Sequence, residues 1–216
     1  MNSLDYKEAL KIDKRTFSQY YASLLRTNHL FLFSFYPNKD YNSRIIKNFL
    51  FFFFFASEMA INAVFYTDST MHQIYEDEGS FNFIYQIPQI IYSSLLSGII
   101  STIVKYLSLS ESSIIDLKYE KKEKKEKKEK NKNPENIDIR RKKLVKSLKI
   151  KFALFFIITL IILVCFWYYI TCFCGIYRNT QVHLIKNTFA SFIIAHVYTI
   201  ITCLLPSLLR RCALAA

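Results

Sequence analysis

The chain has 216 residues, 29 basic against 17 acidic side chains, 17% aromatics and only 3 glycines. So few glycines leave little scope for a phosphate-cradling loop, and the five cysteines (Cys165, Cys172, Cys174, Cys203, Cys212) form no CxxC pair and have no histidine at zinc-site spacing. A net charge of +12 would point to nucleic acid in a soluble protein, but here the charge is gathered into blocks that flank apolar stretches, where it sets membrane topology.

The first 25 residues are polar and hold no secretory apolar region, so either the first span acts as a signal anchor or the chain is a piece of a longer precursor. Between 14 and 36 the residues Phe17, Tyr20, Tyr21, Leu24 and Leu25 recur at near-helical spacing and lead into an apolar run that ends before Pro37. That run is too short to cross a bilayer. With Lys14, Arg15 and Arg26 beside it, it predicts an amphipathic helix in the membrane interface.

A span takes about 20 mostly apolar residues, because a helix rises about 1.5 Å per residue through a core of about 30 Å. Four segments qualify: TM1 at 49–66, TM2 at 83–104, TM3 at 152–174 and TM4 at 187–209. TM3 contains no charge. TM1 is interrupted by Glu58 and Asn62, but its phenylalanines each favour insertion by about 0.3–0.6 kcal/mol, and together they offset the roughly 2.5–3.5 kcal/mol of one acidic residue. The Phe51 to Phe55 run itself fits a general bias toward Phe, Ile, Lys, Asn and Tyr and needs no special function.

The fold expected is therefore all-α, a four-span transmembrane helical bundle with an N-terminal interfacial amphipathic helix. It divides into an N-terminal segment (1–43), a TM1–TM2 hairpin (44–106), a basic low-complexity linker (107–150) and a TM3–TM4 hairpin with a short tail (151–216). Within the linker, the run opening on Lys118 and closing on Lys130 reads as disordered or as a coiled-coil-like charged helix. In the helical reading Glu120–Lys124, Glu123–Lys127 and Glu126–Lys130 are i,i+4 pairs that extend TM2 until Pro134 breaks it. Its excess of lysine predicts a salt-sensitive attraction to anionic lipid headgroups. With four spans, 27 of the 29 basic residues share one face, and the positive-inside rule puts that face, with both termini, in the cytoplasm. The acidic loop around Asp68, Glu76, Asp77 and Glu78 then lies outside or in a lumen as a solvated loop.

Few residues stand out chemically. Glu58 is an ionisable group at mid-span, and Asn62 lies one turn on along the same face. TM2 carries Ser93, Ser97 and Ser101 at i, i+4 and i+8, a small-residue stripe for close helix approach that would equally suit a polar pore lining. Pro88 is expected in the first turn of TM2, where its missing N–H costs little. His196 in TM4 suits a hydrogen bond to a neighbouring helix. Glu58 is expected to carry its proton and donate to a TM2 serine. No catalytic, cofactor-binding or metal-ligating constellation is present in the sequence.

Two stretches, Tyr75-Glu-Asp-Glu-Gly-Ser-Phe-Asn-Phe-Ile-Tyr-Gln-Ile-Pro-Gln89 and Phe173-Cys-Gly-Ile-Tyr-Arg-Asn-Thr-Gln181 with the apolar run ending at Arg210, are similar to a multispan module at the carboxyl end of large membrane proteins of single-celled eukaryotes. The similarity covers most of residues 15–212 and implies an anchoring module, with no activity attached. The expectation is a membrane-anchoring and helix-packing unit of a larger protein or complex, with homo- or hetero-oligomers formed through the spans. The alternative is a channel or transporter subunit using Glu58, Asn62 and the TM2 serines.

Overall fold

A computed structural model describes residues 13–37, 40–78, 80, 82–109, 114 and 134–215. Among them the chain is all-α: α1 (Phe17–Asn28), α2 (Leu30–Phe35), α3 (Arg44–Val64), α4 (Asp68–Glu76), α5 (Phe83–Ser108), α6 (Pro134–Ile176) and α7 (Gln181–Ala215), with a 3-10 turn at Arg178–Thr180 before α7. Four helices, α3, α5, α6 and α7, are long and apolar enough to cross a membrane. They carry the four expected spans. α3 packs against the other three, and α5 also packs on α6 and α7.

The interior is layered along the bundle axis. At the end that holds the start of α3 and the finish of α5, Phe33, Ile46, Leu50, Phe53, Val104 and Phe155 form an apolar cluster. At the opposite end Ala63, Phe173 and Leu184 close a smaller one, with Met59, Tyr66 and Met71 against it. Between them lies a polar layer. The phenylalanine run does specific packing work in the first two layers: Phe49 meets Phe155 and Phe156 of α6, and Phe51, Phe54 and Phe55 surround Phe192 of α7. Edge-to-face pairs of this kind contribute about 0.5–1.5 kcal/mol each beyond burial. The outer faces of α6 and α7 leave Leu160, Ile161, Trp167, Ile193 and Ile201 exposed, as surfaces that meet lipid require.

Several boundaries differ from the sequence expectation. α3 begins at Arg44 rather than 49. Pro88 is the sixth residue of α5, beyond its first turn. α5 does not run on as a charged helix: it ends at Ser108, Leu109 turns extended, and Lys151 of α6 donates to the Leu109 carbonyl. The 118–130 run lies outside the described residues. Pro134, expected to break a helix, instead starts the 43-residue α6, which carries TM3 outward through the basic segment; proline suits a first helical position because its missing N–H has no partner there anyway. Part of the expected solvated loop at 68–80 is also helical. α4 is started by Thr67, whose hydroxyl accepts from the Thr70 N–H.

The amphipathic helix expected ahead of the spans is α1, opened by a capping box between Thr16 and Gln19. Its partner is α7. Asp13 and Arg15 meet Arg210, the Tyr21 hydroxyl donates to the Ile200 carbonyl at 3.2 Å, and His29 meets His196, so α1 descends antiparallel along α7 to about its midpoint. His29, extended at φ −73° and ψ 112°, ends α1 and starts α2. α2 then turns back, tied by the Ser34 hydroxyl to the Lys47 carbonyl at 2.9 Å.

Candidate functional site

The polar layer gathers side chains from three helices. α3 contributes Glu58 and Asn62, α5 Ser93 and Ser97, and α7 Ser191, all with 0% exposure. Their placement follows from spacing: residues four apart share one helix face, so one inward stripe on each helix brings these groups to the same level. Asn62 is the hub. Its Nδ2 donates to Ser191 Oγ at 3.0 Å and to the Glu58 carbonyl at 2.9 Å. Its Oδ1 accepts from Ser93 Oγ at 2.9 Å, and its own carbonyl accepts from Gln89 Nε2 at 3.1 Å. Ser93 and Ser191 are also 3.0 Å apart, which closes a triangle across α3, α5 and α7.

Glu58 stands beside this network without joining it. Ser97 is the hydroxyl that its carboxyl faces, but the pair does not reach hydrogen-bond geometry: both carboxyl oxygens and Ser97 Oγ are buried with no partner among the described residues. The Glu58 carboxyl thus faces the expected TM2 serine, Ser97, without full hydrogen-bond geometry, and Asn62 engages the backbone of Glu58 rather than its carboxyl. Ser101, at 8% exposure, continues the α5 stripe away from the triangle. His196 belongs to another cluster. Its Nδ1–H donates to the Phe192 carbonyl at 2.7 Å, and its ring meets His29 edge-on with centroids 4.8 Å apart.

Sequence reasoning missed the contribution of α7. Asn187 and Ser191 are both fully buried one turn apart, and Asn187 Nδ2 donates to Tyr66 Oη at 2.9 Å. The i,i+4 spacing that singled out the TM2 serines was present there too. A second omission is Arg210, 7% exposed, which donates to the carbonyls of Arg15 and Asp13 at 2.9 and 2.8 Å, pairs with the Asp13 carboxylate at 3.5 Å and covers the Tyr20 ring. This clasp pins the N-terminal segment to the end of α7. The Arg15 guanidinium, hydrogen-bonded to Asp13, holds that carboxyl at about 2, against an ordinary 3.8 and against the opposing effect of burial.

Chemically, the layer can hydrogen-bond helices together, and at Glu58 it can hold one proton. Among the described residues no group of three His, Cys, Asp or Glu could hold a metal ion. The fold thus defines a helical bundle with four apolar helices of membrane-crossing length around a hydrogen-bonded polar layer. The chain matches no family model, no curated protein and no solved structure.

Proposed function

We propose that this chain is an integral-membrane anchoring and helix-packing module of a larger protein or complex, without catalytic activity. The observation that supports it is how the buried polar groups are used. Asn62, Ser93 and Ser191 bond to one another across three helices, as a unit whose task is to hold spans in register would use them. The lipid-facing bands of α6 and α7 remain available for partner spans. In this reading both termini and the basic segments are cytoplasmic, because 27 of the 29 lysines and arginines then share that face, and residues 118–130 attract anionic headgroups.

A second reading, a channel or transporter subunit, is favoured by one feature: the fully buried Glu58 carboxyl has no hydrogen-bond partner among the described residues, which is unusual for a group that serves packing alone. Reconstitution into liposomes separates the two. The anchor reading expects no ion or proton flux above that of protein-free vesicles; flux that disappears in Glu58→Gln would replace it with the second.

A further inference from the structure

Between the α1–α2 turn, α3, α5 and α7 lies a cavity of about 480 Å³, within the size range of ligand pockets. Phe54, Leu95, Ile99 and Ile103 make it largely apolar. Ile99, Ile103 and Tyr198 are each more than half exposed on the outer surface of the bundle, so the cavity opens sideways between α5 and α7. Lys105, in the last turn of α5, and Asn28, at the end of α1, stand at its polar end. From Lys105 to Leu95 the helix rises about 15 Å. That is half of a hydrocarbon core of about 30 Å, the depth of one leaflet.

Charge is the second clue. Two lysines flank the Phe33 ring, Lys105 at 4.5 Å and Lys47 at 4.8 Å. Lys47 is neutralised by Asp40, as Arg210 is by Asp13. Lys105 Nζ donates to the Thr27 carbonyl at 3.0 Å, but among the described residues no carboxylate lies within ion-pair distance of it. An ammonium has three donors, and a half-buried cation without a counter-charge is costly. A phosphate diester at the lipid surface would supply both the charge and the acceptors.

We propose that this cavity binds an anionic phospholipid of the surrounding bilayer, its phosphate held by Lys105 and the Asn28 amide and one acyl chain lying along Leu95, Ile99 and Ile103. The proposal rests on the four long helices being spans. It is distinct from the headgroup attraction proposed for the 118–130 segment.

Native mass spectrometry of the full chain released from nanodiscs of mixed phosphatidylglycerol and phosphatidylcholine tests it. The wild type should retain phosphatidylglycerol in preference. Lys105→Gln should lower that preference about fivefold, the share of one basic side chain at an anionic surface, and Lys105→Arg should restore it. Gly98→Leu tests the cavity separately, since Gly98 lines it and a Cβ there meets nothing within 4 Å; retention of both lipids should fall. The linker's preference is common to all variants, so the differences report the site. Equal retention of the two lipids by the wild type, a Lys105→Gln variant with wild-type preference, or a Gly98→Leu variant with wild-type retention overturns the proposal. If Lys105→Gln does not fold, Gly98→Leu decides alone. A chain that fails to enter nanodiscs contradicts the span reading instead.

Discussion

Replacing Asn62 with leucine, a side chain of similar size, removes the hub of the polar layer while leaving the helix propensity of α3 intact. Two interhelical partners are lost, Ser191 and Ser93. Both keep a fallback, because Ser93 still reaches the Ile90 carbonyl at 3.0 Å and the two hydroxyls still bond each other. Hydrogen bonds between spans are worth about 0.6 kcal/mol on average and up to roughly 1.7, so Asn62→Leu should cost about 1–2 kcal/mol. For a chain of this size that corresponds to a fall in melting temperature of about 2–8 °C. Melting of the purified protein in detergent, followed by size-exclusion fluorescence, reads the change. A double-mutant cycle with Ser191→Ala isolates the pair and should show a coupling near 0.6 kcal/mol. Strictly additive effects, or a higher melting temperature for Asn62→Leu, would refute the idea that this triangle sets the register of α3, α5 and α7.

Two further outcomes follow from neighbouring groups. Since neither oxygen of Glu58 has a partner among the described residues, Glu58→Gln should melt like the wild type and Glu58→Leu should melt higher by about 1–3 kcal/mol, whereas Glu58→Lys should impair folding; a Glu58→Leu variant that melts lower would reveal a bond the carboxyl does make. At the clasp the Asp13 carboxyl is held at about 2 instead of 3.8 chiefly by Arg15 of its own segment, so this charge ties α1 to α7 only through its pairing with Arg210, which is lost as the pH falls toward 2. A donor–acceptor pair at Ser18 and Leu214 should therefore report only a partial loosening of α1 between about pH 4 and 2, and the same at neutral pH in Asp13→Asn, because Arg210 keeps its bonds to the Asp13 and Arg15 carbonyls; complete undocking in Asp13→Asn would show that the carboxylate is the main latch.

The parts of this fold that were legible are those governed by local chemistry. A charge-free run such as 152–174 has one physical outcome in a bilayer, and helical spacing placed Glu58, Asn62, Ser93 and Ser97 on inward faces before any partner was known. Boundaries were harder to place. The Thr67 hydroxyl cap that starts α4 and the Thr16/Gln19 box that starts α1 were written in the residues but compete with the polar composition around them. Pro134 reads equally as a stop or a first residue, and only the long apolar continuation of α6 decides between them. What no local pattern reveals is partnership: that Arg210 clasps Asp13, that His29 meets His196, or that Ser191 completes the triangle, since each joins residues more than a hundred positions apart.

The most direct test of the four-span account is cysteine accessibility in a cysteine-free background, with single cysteines at positions 14, 78, 125 and 213 in intact, correctly oriented cells. The account predicts that an impermeant reagent applied from outside labels position 78 alone, and that the other three react only after permeabilisation, because four crossings return both termini and the basic linker to the cytoplasmic face. Labelling of position 125 from outside, or of 14 and 213 on opposite sides, would contradict it.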